Sequence, residues 1–164
     1  VRMRFLGNIE AKIDAKGRVF LPATFRKVLQ AGGEENLVLR KDVFSDCLVL
    51  YTDDVWNNQM ETLRNKLNRW NKAHQQVFRQ FVAEAEIVQL DASGRILLPK
   101  RCMQSVNIDQ NVMFIGMGDT IEIWPKPEEP TAFLDDNTFS YAIECLMAED
   151  KRQTKENDQK EMEE

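Results

Sequence analysis

Two short stretches set an acid and a base in the same register. Asp14-Ala15-Lys16-Gly17-Arg18 and Asp91-Ala92-Ser93-Gly94-Arg95 each place a carboxylate four residues before a guanidinium, with a glycine just before the arginine. An arginine offers a flat fork of donors that matches a phosphate or the O6/N7 edge of guanine. Lys16 adds a point charge suited to phosphate, a contact that fixes position without reading sequence. The aspartates suit a different purpose, since a carboxylate at the start of a turn accepts backbone N–H groups or holds the arginine fork. Neither is expected to touch nucleic acid, because two anions repel. In an arbitrary chain such a pair is usually a capped turn with a solvated arginine. Duplication copies structural and functional features alike. The repeat therefore argues directly for a structural role of Asp14, Gly17, Leu21 and Pro22, with Asp91, Gly94, Leu98 and Pro99. For binding by Lys16, Arg18 and Arg95 it argues only through their chemistry.

Nothing else in the chain assembles a catalytic set. His74 is the only histidine and lies in a polar stretch of a predicted helix, as a surface residue would. Cys47, Cys102 and Cys145 are far apart and odd in number, which excludes a disulfide framework and the common zinc sites and fits a reducing cytosol. Cys47 and Cys102 border apolar stretches and read as small buried hydrophobes. There is no P-loop and no dinucleotide fingerprint. Catalysis, metal and cofactor are therefore not expected. Trp56 and Trp70 read as core or subunit interface, and Arg64, Lys66, Arg69 and Lys72 as a solvated helix face.

The elements that must position the two motifs are themselves repeated. Ile13–Pro22 and Leu90–Pro99 agree at six of ten positions at an offset of 77, and three of the other four exchange one apolar residue for another. The likeness continues from Leu37-Val38-Leu39 to Val112-Met113-Phe114, from Asp46 to Asp119, and from Leu48–Tyr51 to Ile121–Trp124. A tandem duplication of a unit of roughly 45 residues explains this. In the first copy Ile9, Ala11 and Ile13 alternate with polar residues as a half-buried strand, and Asp14–Gly17 is a turn. Val19–Leu21 is a strand, Pro22 opens a helix over Ala23–Leu29, and Gly32-Gly33 ends it. Leu37–Arg40 and Leu48–Tyr51 close the unit as strands, and Gly116–Asp119 is the tight strand connection of the second copy. Between the copies, apolar residues at Trp56, Met60, Leu63, Leu67 and Trp70, then Val77, Phe78 and Phe81, predict one or two amphipathic helices. Asp53 or Asp54 is the expected N-cap, and Asn71–His74 the expected break. Phe139, Ile143, Leu146 and Met147 predict a C-terminal helix, after a bend at Pro125–Pro130.

Charge is unevenly spread along the 164 residues. The first 103 carry 17 Lys and Arg against 12 Asp and Glu, while the remainder carry 5 against 15. A polyanion is thus a reasonable partner for the first part only. The tail from Glu149 onward has one apolar residue, Met162, and is expected to be disordered or a frayed helical extension. No apolar run approaches the roughly 20 residues a membrane span requires, and no secretory signal is expected at the N-terminus.

The doubled strand–turn–strand ending in Asp-x-x-x-Arg, three apolar residues and Pro resembles the MraZ family and, more distantly, the AbrB/SpoVT swapped-hairpin DNA-binding domains. The resemblance spans roughly residues 5–147. It implies a mainly β chain with α: two tandem AbrB-like repeats forming a pseudo-symmetric double swapped-hairpin β-barrel. It places the first repeat at 5–52, a helical connector at 53–83, the second repeat at 84–127 and a C-terminal helix at 131–148, while the acidic tail at 149–164 lies outside the part that matches. It implies a cytoplasmic, nucleoid-associated transcription factor. Such a factor binds double-stranded DNA at direct repeats in the promoter of the division and cell-wall gene cluster, its own gene included, as a ring-like homo-oligomer. DNA binding then falls to Arg18 and Arg95, with Lys16 as neighbour. Ser93 stands where a second Lys would, so the second motif offers one cation where the first offers two. Two rivals remain: an antitoxin-like protein whose tail binds a partner, and a structural oligomer without DNA.

Overall fold

The computed structural model of the protein describes residues 4–126 and 132–148. The first copy folds as β1 (Asn8–Lys12), β2 (Arg18–Phe20), α1 (Ala23–Ala31), β3 (Asn36–Lys41) and β4 (Leu48–Thr52). Two helices follow, α2 (Asp53–Lys66) and α3 (Lys72–Ala83). The second copy runs β5 (Glu86–Gln89), β6 (Arg95–Leu97), α4 (Lys100–Ser105), β7 (Asn111–Gly116) and β8 (Thr120–Pro125). A further helix, α5, over 136–148 belongs to a second compact unit that begins after Lys126. The expected helix at this end is thus present, while the tail from 149 and all but the first two residues of the bend expected at Pro125–Pro130 lie outside the described residues. No described helix is long and apolar enough to cross a membrane.

The chain is a mixed α/β protein dominated by an antiparallel sheet, and its two copies exchange strands. The large sheet has the order β1-β7-β8-β4-β3-β5, and β2 pairs with β6 in a separate two-stranded ribbon. The first strand of each copy pairs with the third strand of the other, Ile9 opposite Phe114 and Glu86 opposite Leu39. The fourth strands pair around Val49 and Glu122, the second strands around Val19 and Ile96. Each register maps onto its counterpart when the copies are exchanged, so the internal duplication is a structural two-fold down to single residues. Among the described residues the ladders leave β1 and β5 as edges of an open sheet; no closed barrel is formed by strand pairing.

Two apolar layers hold this sheet. On one side Phe25 and Leu29 of α1 and Cys102 of α4 pack with Val19, Ile96, Leu39, Leu50, Phe114 and Ile123. On the other, α2 and α3 cover β3 and β4 only, where Val38, Val49, Tyr51 and Trp56 are buried against Met60 and Phe81. That double cover is why β4 reads as an unbroken apolar run, as strands buried on both faces do. On the equivalent face of β7 and β8, Met113 and Glu122 are half-buried.

Five local expectations are corrected. The N-cap of α2 is Thr52, whose hydroxyl accepts from Val55 N–H at 3.4 Å; Asp53 and Asp54 fall in the first turn, where their charge favours the helix dipole. The break between the helices comes after Lys66, and Asn71 caps α3 by accepting from His74 N–H at 3.2 Å. His74 is more than a surface residue, because its Nδ1 accepts from Asn68 N–H at 2.9 Å and fastens the connection. Trp70 sits in that connection at 96 % exposure and shares nothing with buried Trp56, which stacks on Phe81. Pro22 and Pro99 occupy cap positions one residue before their helices.

Candidate nucleic-acid interface

Both Asp-x-x-x-Arg motifs build the same turn. Asp14 Oδ1 accepts from the backbone N–H of Lys16 at 2.9 Å and of Arg18 at 2.8 Å, and its Oδ2 accepts from Arg18 Nε at 2.8 Å. Asp91 takes the same three bonds from Ser93, Arg95 and Arg95 Nε, each at 2.9 Å. These donors hold both carboxyls below the usual carboxylate range, the backbone N–H of the arginine being the largest cause in each. The turn closes when Gly17 N–H reaches Asp14 C=O and Gly94 N–H reaches Asp91 C=O, both at 3.0 Å. Glycine is required there because φ is +85° at both positions. Both expected aspartate roles, orienting the turn and holding the arginine, are therefore performed at once.

The ribbon of β2 and β6 then brings the two motifs together. Arg18 lies opposite Leu97 and Arg95 opposite Phe20. Each turn also clamps the other copy: Leu98 N–H donates to Gly17 C=O at 2.9 Å and Leu21 N–H to Gly94 C=O at 3.1 Å. Val19 and Ile96 point into the core at 1 % and 0 % exposure, so strand alternation turns Arg18, Phe20, Arg95 and Leu97 to the outside. Both guanidinium groups are anchored through Nε alone. Their terminal nitrogens make no hydrogen bond among the described residues, which leaves the bidentate end of each fork available.

Further cations gather at the turns. Lys12 and Lys100 line one groove with Lys16 beside the first turn. At the second turn, where Ser93 replaces lysine, Arg26 of α1 crosses over Gly94; a Cβ built on that glycine would lie 2.7 Å from Arg26 Nη1. Arg26 thus supplies, from outside the second motif, a cation that position 93 does not. Reading along the chain missed Arg26 because it lies 68 residues from the glycine it covers, and no local pattern marks it. The Arg64–Lys72 run lies on α2, α3 and the connection between them, distinct from the ribbon.

One other cluster has ligand-type side chains. Asp42, Cys47 and Glu122 have ligand atoms within 4.8 Å of one another. Burial and the neighbouring Glu122 push the Cys47 thiol well above its ordinary pKa, so it stays protonated at neutral pH and donates toward Glu122 at 3.7 Å. Cys47 and Cys102 are both buried, as expected for small core hydrophobes.

Comparison with known proteins agrees with the duplicated architecture. The family model of the MraZ protein matches twice, over residues 4–80 and 81–129. A protein of Bacteroides fragilis named Transcriptional regulator MraZ is 53% identical, over 93% of this chain and 96% of its own length. Proteins of the same name are 57% identical in Phocaeicola vulgatus, over 88% of this chain and 94% of theirs, and 53% identical in Bacteroides thetaiotaomicron, over 92% and 97%. With both copies matched and relatives aligned nearly end to end, this chain belongs to the MraZ family.

Proposed function

We propose that the protein is a sequence-specific DNA-binding transcriptional regulator; its relatives are named as transcriptional regulators. It reads direct repeats in the promoter of the division and cell-wall gene cluster, including its own gene, and acts as a ring-like homo-oligomer at the nucleoid. The observation that carries this reading is the ribbon: two arginines, each clamped through Nε by its own aspartate, share one outward face. A two-stranded ribbon fits the major groove, where an arginine fork reads guanine. Residues on diagonal ribbon positions are about 7–8 Å apart, on the order of two base-pair steps at 3.4 Å each. Lys16 takes phosphate, and Lys12, Lys100 and Arg26 extend that grip.

The reciprocal pairing of β1 with β7 and of β5 with β3 supports assigning the two repeats, 5–52 and 84–127, to a double swapped-hairpin barrel. The few cations on one copy supply modest, salt-sensitive affinity. Linking copies in a ring over repeated boxes adds roughly 10²–10⁴-fold through intramolecular contact.

The test is fluorescence anisotropy on the DNA upstream of the protein's own gene, against scrambled DNA, across a salt series. The Arg18→Ala/Arg95→Ala variant runs alongside, with its assembly followed by light scattering. Promoter-selective binding with a steep salt slope, lost in a variant whose oligomer persists, is the expected result. Equal or absent binding to both DNAs at low salt would overturn the proposal and leave a structural oligomer. Co-purification of a small toxin would point to the antitoxin-like role.

A further inference from the structure

The outward face of the ribbon holds two large apolar side chains that core packing does not use. Phe20 is 53 % and Leu97 55 % exposed. They are equivalent under the internal two-fold, each directly opposite the other copy's arginine, so the face is a checkerboard of two cations and two large apolar groups. The Arg95 guanidinium stands 5.7 Å from the centre of the Phe20 ring, close enough for that ring to help orient it. Leu97, opposite Arg18, offers no such face.

We propose that Phe20 and Leu97 are specificity-determining residues that receive the 5-methyl groups of thymines flanking the guanines read by Arg18 and Arg95. The inference rests on the DNA-binding reading above and adds what that reading lacks, a function for the apolar half of the face. The surface that covers this checkerboard must present hydrogen-bond acceptors beside the arginines and be apolar between them. The major groove has that pattern wherever thymine adjoins guanine, because the thymine methyl is the groove's one apolar group. A second copy docked symmetrically fits poorly, since a two-fold contact would bring four guanidinium groups together. The halves are also unequal. The flat Phe20 covers more of a methyl than Leu97, so dependence on thymine is stronger in the half-site under Phe20.

The probe is promoter DNA in which single thymines are replaced by deoxyuridine, which deletes the methyl and keeps every hydrogen-bonding edge. With the wild-type protein, one or two positions lose about fourfold in affinity, the effect of one apolar carbon group left uncovered. Phe20→Ala binds thymine and uracil DNA equally at its position, Leu97→Ala does so at the other, and each retains the wild-type ratio at its partner's position. Light scattering shows the same assembly for both variants. Promoter-selective binding with no sensitivity to uracil, or with a uracil effect that Phe20→Ala and Leu97→Ala leave intact, overturns this inference and spares the regulator reading. Loss of the oligomer in either variant also overturns it, and makes the face a contact between copies. Absence of promoter-selective binding by the wild type removes both proposals together.

Discussion

The ribbon supports the whole functional reading only if Val19 and Ile96 face inward while Phe20 and Leu97 face outward, and substitution on the two faces separates these placements. Ile96 is fully buried, opposite Val19 and within the main apolar cluster. Ile96→Ala deletes three carbon groups at about 0.8 kcal/mol each, and the cavity left in a packed layer adds to this. The expected cost is about 3–4 kcal/mol, within the range for such truncations. For a chain of this size that lowers the melting temperature by about 6–16 °C. Phe20→Ala removes a larger side chain, yet one more than half exposed that packs mainly near Arg95. Its cost is about 1 kcal/mol or less. Urea denaturation of both variants at one fixed protein concentration, followed by circular dichroism, measures the contrast, since assembly makes stability concentration-dependent. A Phe20→Ala variant as destabilised as Ile96→Ala would refute the facing of the ribbon, and with it the placement of both arginines.

Gly17→Ala is expected to cost about 1–2 kcal/mol for its left-handed backbone, and more than Gly94→Ala. Its Cβ meets the Leu98 carbonyl at 3.2 Å, whereas at Gly94 the obstacle is the movable Arg26 side chain; denaturation midpoints in the reverse order would count against this. Asp14 and Asp91 are held below their ordinary pKa mainly by arginine N–H groups. Their stabilisation is therefore complete above the unfolded value of about 4 and is lost as the pH falls through the lower folded values. Asp14→Asn/Asp91→Asn should flatten the acid limb of a stability–pH profile, and an unchanged limb would remove the argument. Cys47 and Cys102 should resist thiol alkylation at pH 8 until urea opens the core, since both are buried with raised pKa values; labelling of either in the native state would contradict the packing. Arg40→Ala should loosen α3 from the sheet, because the buried guanidinium donates from Nε to Phe81 C=O at 2.8 Å and lies against that ring. Faster hydrogen exchange confined to α3 would show it.

Much of the architecture was legible in single file. The duplication, the order of elements within each copy and the turn chemistry of Asp14 and Asp91 all follow from the chain, because those hydrogen bonds span at most four residues. Helix ends were less legible where two candidates adjoin. Thr52 and Asp53 both make acceptable caps, and the strand that ends at Thr52 decided between them.

Sequence alone thus determined that there are two like turns, each holding an arginine. Tertiary structure alone decided that they stand side by side. The stretch Arg18-Val19-Phe20 is too short to show which alternate residues face the core, and its apolar composition suits a partner in either copy. Only the pairing of β2 with β6, across 77 residues, turned Phe20 and Leu97 outward and set Arg26 against Gly94. Pairing at that distance is chosen by the burial of whole strands, a quantity that no local window of the sequence contains.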